Sequence, residues 1–556
     1  MASNLPNVTS SSQKESCETT PYDSSSLTEE TANNNANAGK KCALPSQDAN
    51  TFREPKSQTP GNNDLESGQL PALRATVSRA TTISKKRAYT FMILIVLTQA
   101  VQMFAYGAGI IGAFTVGHAV GASDLQSTWI AAAYPLTQGS FVLISGRLGT
   151  VFGHKKMLTL GASIWIFWTL ATAYGTNIVG ISIMRALAGI GGGLLVPNAV
   201  ALLTITFPPG RQRNLALALF ASMGPVGGAG GCVFNGFFLQ WTDWTWLFFF
   251  LAVLGAVVYG AAIIAVPDDE RLDPEGKIDW TGSYLGVAGL VLFNFVWNQA
   301  PIVGWQDPYE YILLIVAIGH FAVFLIWESR WAVSPIIPFE IWKVPSFGAL
   351  IVVCFFVFMS LGIYIWYVTV FLANLRNWDP ALLGCSFLPM AVSGTGAAFF
   401  AAWVVRKLPA EMVVCIGALG AVVMNILIAT MPIHQTFWAM VFPAMILAGC
   451  TGDMVFAAGQ IIASSIVTRK HQGTAGSLIG TLFTYGLSTG LGFAGTVEIY
   501  INKDGTDLLG GYRGAAYLGI GFAGAAIVLT LLFVRMKKNT VEGWQGEDAG
   551  TAEPSE

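Results

Sequence analysis

From Tyr89 onward the chain alternates long apolar runs with short polar breaks, and each run is close to the roughly 20 residues a helix needs to cross about 30 Å of hydrocarbon. The runs fall near residues 88–112, 127–146, 157–175, 178–203, 214–239, 244–266, 280–300, 309–328, 346–373, 381–404, 411–430, 436–462, 475–500 and 512–534. No strand-length alternation is visible, and backbone groups in lipid must be satisfied within the segment, so about fourteen helices are predicted. Residues 1–84 follow another pattern. Ser, Thr, Asn and Pro abound, aromatics are few, and stretches such as "TANNNANAGKK" lack apolar periodicity, which predicts a disordered tail. That tail holds no apolar signal-peptide core, so the first span is expected to direct insertion itself.

The polar breaks differ in charge. One set of alternate loops collects Lys85, Lys86, Arg87; Arg147, Lys155, Lys156; Arg211, Arg213; Arg271, Lys277; Arg330, Lys343; Arg406, Lys407; Arg469, Lys470; and Arg535, Lys537, Lys538. The other set has only Arg376, Lys503 and Arg513. By the positive-inside rule the first set is cytosolic, and so are both termini. The sequon Asn7-Val8-Thr9 would matter only outside the cytosol.

The spans group as six, two and six. The first six end at an acidic linker, "VPDDERLDPEGKIDW", Val266 to Trp280, and a pair of spans precedes the second block. An all-α membrane fold is expected, with two six-helix bundles and an inserted helix pair, as in transporters built from repeats. The corresponding domain limits are a tail at 1–84, a bundle at 85–266, linker and inserted pair at 267–344, a second bundle at 345–536 and a cytosolic tail at 537–556.

Composition agrees: 53% of residues are hydrophobic and only 11% charged, far from the roughly 25% of soluble domains. A net charge of -2, with no long basic segment, gives no case for nucleic acid. Five of the seven cysteines fall inside apolar runs without CxxC spacing and read as small hydrophobes, so no metal or disulfide framework is expected. There is no G-x-x-x-x-G-K-[ST] or H-E-x-x-H, and no paired carboxylates at helical spacing inside the predicted spans. The chain is expected to be no enzyme and to need no cofactor.

Candidate chemistry lies inside the spans. Arg185 sits in "ISIMRALAGIGGGLLVPNAVALL", where a guanidinium either faces a partner or aqueous cavity or snorkels to the outer surface. Asp453, in "ILAGCTGDMVFAAGQ", is the only acid near the centre of a predicted span. A carboxylate there is expensive when ionised, so its protonation is usable in a transport cycle. A structural carboxylic acid is the alternative. Gln99, Gln102, Tyr106, Tyr134, Gln138, Asn198, Tyr364, Trp366 and Tyr367 are candidate cavity groups, because polar atoms beside aromatic faces suit a binding pocket. Trp129, Trp241 and Trp244 read as belt residues.

Three stretches resemble the major facilitator superfamily. "GRLGTVFGHKK", Gly146 to Lys156, is similar to its loop between helices two and three, G-x-L-x-D-x-x-G-[RKH]-[RK], through Gly146, Leu148, Gly153, Lys155 and Lys156. Thr150 stands where that pattern has aspartate. The resemblance implies a conformational latch of Gly146, Arg147, Thr150, Gly153, Lys155 and Lys156, weakened by the missing acid; the bases serve equally as markers of the cytosolic side. Thr150 could still cap a helix. Arg185, Gly189 and Gly191 match the helix-four pattern R-x-x-x-G-x-G. "FASMGPVGGAGGCVFNGFF" resembles the antiporter motif G-P-x-x-G-G through Gly224, Pro225, Gly227, Gly228, Gly230 and Gly231.

With the inserted pair and "WIAAAYPLTQGSF", the chain is similar to the fourteen-spanner drug:proton antiporters, in particular the fungal branch with aminotriazole-resistance and boron exporters. That resemblance implies efflux of a small-molecule drug, toxin or metabolite from the cytosol by alternating access. Protons moving inward would drive it through Asp453 and Arg185. A monomer in the plasma membrane bilayer is expected. An uptake permease for a siderophore or ammonium shares the architecture and remains the alternative. A receptor or scaffold would not need Arg185 and Asp453 inside the bilayer.

Overall fold

The computed structural model describes residues 85–207, 211–266, 269, 271–337, 339–344, 346–404, 407–467, 472–502 and 505–535. The tails expected at 1–84 and 537–556, with the sequon, lie outside the described residues. Every expected span coincides with a helix: α1 (Lys85–Ala119), α2 (Asp124–Phe152), α3 (His154–Thr172), α4 (Ile178–Thr206), α5 (Arg211–Trp241), α6 (Trp244–Ala265), α7 (Trp280–Val303), α8 (Pro308–Arg330), α9 (Phe347–Val370), α10 (Leu388–Val404), α11 (Ala410–Thr430), α12 (Val441–Ile466), α13 (Gln472–Asn502) and α14 (Leu508–Phe533). Among the described residues there is no strand.

Eleven helices are long and apolar enough to cross a membrane by length and composition. Of the fourteen, α2, α3 and α13 lie outside that set. For α2 and α13 the reason is position: they pack on each other and on further helices, so much of their surface meets protein rather than lipid. Several helices outrun the apolar runs. Helix α1 extends to Ala119, and α5 spans Arg211–Trp241, because the hydrogen-bond ladder continues beyond the apolar segment.

The tenth span is two pieces, Pro380–Cys385 and α10. The chain turns at Ser386 and Phe387, and Pro389, which has no N–H for the Cys385 carbonyl, falls in the first turn of α10. Helix α9 ends in a π turn, Phe371–Leu375. Side chains start several helices: Ser123 and Gln126 form a capping box on α2, while Asn177, Asp243, Asp279 and Asp507 cap α4, α6, α7 and α14.

In the first half α1 packs against α2, α5 and α6, α2 against α4, and α3 against α4 and α6. In the second, α9 packs on α13 and α14, α10 on α12, and α11 on α12 and α14. Two seams join the halves: α2 along α13, and α5 along Pro380–Cys385 and α10. The pair α7 and α8 lean on each other, and α7 touches both α13 and α2, so the inserted pair flanks the first seam. Trp129 belongs to that contact and not to a lipid belt: its indole N–H donates to Gln299 of α7 (2.8 Å) and its ring meets Phe295. Trp244 packs on the core, whereas Trp241 is exposed.

Candidate functional site

A cavity of about 80 Å³ lies between the two halves. Its walls are largely apolar, with Tyr106 of α1, Gln138 of α2 and Asp453 of α12 as polar groups, and Gly224, Pro225 and Gly228 of α5 forming one side. The Asp453 carboxylate and the Pro225 ring both approach the place where a Cβ on Gly394 of α10 would stand, so acid and proline converge in the second seam. Gly224 and Gly228 face open space. Gly227 and Gly231, on the other side of α5, lie against the backbone of α1 at Ala100 and Phe104. The glycine pattern thus divides into a packing face and a cavity face.

The cavity is sealed at the end away from the basic loops. Gly236 of α5 meets the Pro380 carbonyl, Gly384 meets the Cys232 carbonyl, and Phe114 stacks on Trp366 with centroids 5.6 Å apart. In the first seam, Ser488 of α13 donates to the Ala132 carbonyl of α2 (3.0 Å) and to Asn294 Oδ1 of α7 (2.9 Å). Asn294 in turn donates to Thr489 (2.8 Å).

Arg185 neither snorkels nor lines the cavity. It is buried, donating from Nε to the Ile130 carbonyl (2.6 Å) and from Nη2 to the Ala105 carbonyl (3.1 Å). The rings of Tyr134 and Phe248 lie 5.8 and 5.9 Å from its guanidinium carbon. Gly109 leaves the space Nη2 occupies, since any Cβ there would collide with it. Its partners are carbonyls and π faces, and the arrangement clamps α1, α2 and α4 together.

Several other candidates also sit outside the cavity lining. Gln102 donates to the Gly192 carbonyl (2.6 Å), and the Tyr134 hydroxyl accepts from Trp165 (3.1 Å), so both serve the first bundle's interior. Asn198 pairs with His154 Nδ1 (2.8 Å) and donates to Ser145 (3.0 Å) near the basic end. Tyr364 is fully buried in α9, and the partly buried Gln99 lies in α1. Tyr367 donates to the partly buried Glu498 (2.8 Å) toward the sealed end. The reason is common to all: periodicity says that a residue lies on a helix but not which neighbour its face meets. Asn294 and Asn298, spaced i, i+4 on α7, were the legible signal missed.

At the basic end the acid absent at Thr150 is supplied by the linker. Gly153 has φ 104°, a left-handed conformation that favours glycine, and provides no side-chain cap for α3. The Asp269 carboxylate accepts instead from the backbone N–H groups of His154 (2.6 Å) and Lys155 (3.3 Å). Arg147 pairs with Asp273 (2.9 Å) and donates to the Lys277 carbonyl (3.0 Å), while the Asp273 N–H donates to the Thr150 carbonyl (3.1 Å). Thr150 caps nothing; its hydroxyl donates back to the Arg147 carbonyl (2.8 Å). Lys156 is exposed, and Gly146 comes within contact distance of Ser477 on α13.

A cavity between two helix bundles, with a glycine- and proline-rich wall and one carboxylic acid, defines a membrane transport protein. Residues 94–491 match the Major Facilitator Superfamily, and the chain belongs to that family of membrane transporters. It is 37% identical to the low affinity ammonium transporter of Saccharomyces cerevisiae, over 77% of this chain and 85% of that one. It is 36% identical to efflux pump terJ of Aspergillus terreus (80% and 87%), and 33% identical to the aminotriazole resistance protein of Saccharomyces cerevisiae (74% and 78%). The fold is similar to that of the peptide transporter POT in complex with sulfate, with TM-score 0.60, 14% identity, and coverage of 82% and 96%.

Proposed function

We propose that this transporter is a proton-coupled exporter of a small molecule, working by alternating access as a monomer with fourteen spans and cytosolic termini in the plasma membrane. The observation that carries the reading is Asp453 opening onto the inter-bundle cavity beside Pro225 of the glycine-rich α5 stretch. A carboxyl in an apolar cavity is easily protonated and costly to ionise, so release of its proton is coupled to what else occupies the cavity. Kinship with a terJ-type efflux pump and with an aminotriazole resistance protein supports the outward direction.

In this reading Asp453 carries the proton and Arg185 is a positioning residue that holds α1, α2 and α4 as one body. Tyr106 and Gln138 face the substrate, and the loop at Gly146–Lys156 with Asp269 and Asp273 latches the basic end. The test is energy-dependent loss of labelled aminotriazole from cells, repeated in proteoliposomes under an imposed pH gradient. Wild type is expected to move the probe against its gradient, and Asp453→Asn to lose at least about 10-fold of the proton-driven component. Full proton-driven transport by Asp453→Asn would refute the coupling role.

Kinship with the low affinity ammonium transporter favours a second reading, uptake. Cells that accumulate more labelled methylammonium when the protein is present, with no aminotriazole efflux, would select it.

A further inference from the structure

A second, smaller cavity lies toward the sealed end, where α2, α7, α9 and α13 meet. Thr128, Asn298, Trp366, Tyr367 and Glu498 are among its lining residues. It measures about 20 Å³, room for one water-sized species. Its polar groups are the Thr128 and Tyr367 hydroxyls, the Asn298 amide, the Trp366 indole and the Glu498 carboxylate. The Glu498 carboxylate is engaged at Oε2 by the Tyr367 hydroxyl (2.8 Å). Asn298 is 3% exposed, and its Nδ2 donates to the Asn294 carbonyl (3.0 Å), Asn294 Oδ1 (2.8 Å) and the Ser488 carbonyl (3.3 Å). Those acceptors fix which end of the amide is nitrogen. The oxygen, Oδ1, is left buried and without a partner. A buried acceptor in that state lacks the donor that would offset its desolvation.

The surroundings add predominantly negative charge. Among the described residues this end carries Asp124, Asp243, Asp307, Glu310, Asp379 and Asp507 besides Glu498. Its arginines are engaged with carbonyls, Arg376 with Pro432 (3.1 Å) and Arg513 with Met431 (3.4 Å). His118 is bound to Asp124 (2.6 Å). A cation is therefore drawn to this end and finds a carboxylate, an unpaired amide oxygen and the indole of Trp366 around one small space.

We infer that this cavity is a binding site for a single small hydrogen-bond-donating cation, an ammonium ion or the head of a primary ammonium group. Glu498 supplies the charge, Asn298 Oδ1 accepts an N–H, and Trp366 contributes a π face. The inserted pair is part of the site, because Asn298 belongs to α7. The inference deepens the second, uptake reading by giving its cation a site; it depends on neither the direction of transport nor Asp453, so the binding test fails or holds separately from any transport assay.

Thermal unfolding of the purified full chain tests it, at fixed pH and ionic strength, with ammonium, methylammonium, tetramethylammonium and potassium chlorides. Potassium is close to ammonium in size but donates no hydrogen bond, so it controls for general electrostatics. Ammonium is expected to raise the unfolding temperature by about 2 °C over potassium. Methylammonium should do less, and tetramethylammonium nothing. Glu498→Gln is expected to abolish the difference. Leu125→Phe, which fills the cavity from α2 without removing charge, should abolish it too and serves if the first variant does not fold. Equal unfolding temperatures of wild type in ammonium and potassium overturn the inference, and so does an ammonium effect that survives either variant.

Discussion

Arg185 and Asp453 are both ionisable groups within helices, and their surroundings give them different work. Arg185 has two carbonyl acceptors and two aromatic faces, so its charge is compensated in place. Lysine offers one ammonium where the guanidinium fork reaches Ile130 and Ala105 together. Arg185→Lys is therefore expected to lose about 2 kcal/mol of stability, read as a lower unfolding temperature in detergent, before any effect on proton dependence. Asp453 has the cavity beside it, and its replacement by Asn is expected to change coupling rather than folding. The sequence distinguished the two only as rare charges in apolar helices. It could not show that Arg185 turns inward to the bundle, because the Gly109 gap that admits Nη2 comes from a different helix. Asn198 misled for the same reason: its partner His154 lies 44 positions away.

Between elements, the linker after α6 acts as a clasp on the α2–α3 turn. Asp269 caps α3 through two N–H groups, and Asp273 holds Arg147. Asp269→Asn keeps an acceptor but loses the charge at a helix N-terminus, an effect of about 0.5–1 kcal/mol. The Arg147–Asp273 pair is partly exposed, so a double-mutant cycle is expected to give only about 0.5 kcal/mol. Thr150→Asp should restore much of the transport rate lost in Asp269→Asn while changing wild type little, because the acid is already supplied. An equally large effect of Thr150→Asp in wild type would contradict the clasp.

Asp243, the cap of α6, gives a pH signature. Hydrogen bonds from the Thr245 hydroxyl and N–H hold its carboxyl below the usual range. Its contribution is present above about pH 4, the ordinary aspartate value, and is lost as pH falls through the lowered folded value. The stability gap between wild type and Asp243→Ala should close on acidification, as measured by unfolding at a series of pH values. The helices themselves were legible from apolar length. The clasp was not, because the acidic linker shows in the sequence only as a boundary between spans, and nothing there places Asp269 at the uncapped start of α3.

Over the whole molecule, the alternating-access proposal requires that the seams decide which end of the cavity opens. At the sealed end α5 and Pro380–Cys385 touch through Gly236 and Gly384, each against a carbonyl of the other segment. A side chain at Gly384 would press on the Cys232 carbonyl, backbone that cannot swing away, so Gly384→Leu wedges the seam apart. Overpacking of this kind costs about 1–3 kcal/mol, and the cost falls on the closed seam alone. The equilibrium between states should shift by at least about 10-fold toward opening at this end. The reporter is Gly228→Cys with the native cysteines replaced by Ala, since Gly228 faces open space in the cavity and Cys232 shares that lining. A membrane-impermeant maleimide is expected to reach it from the basic end in the parent and increasingly from the opposite end once Gly384→Leu is added. Labelling from the opposite end that stays unchanged would mean that the α5 seam is not the gate, and would leave the α2–α13 seam, with the inserted pair hydrogen-bonded beside it through Asn294, as the barrier that moves.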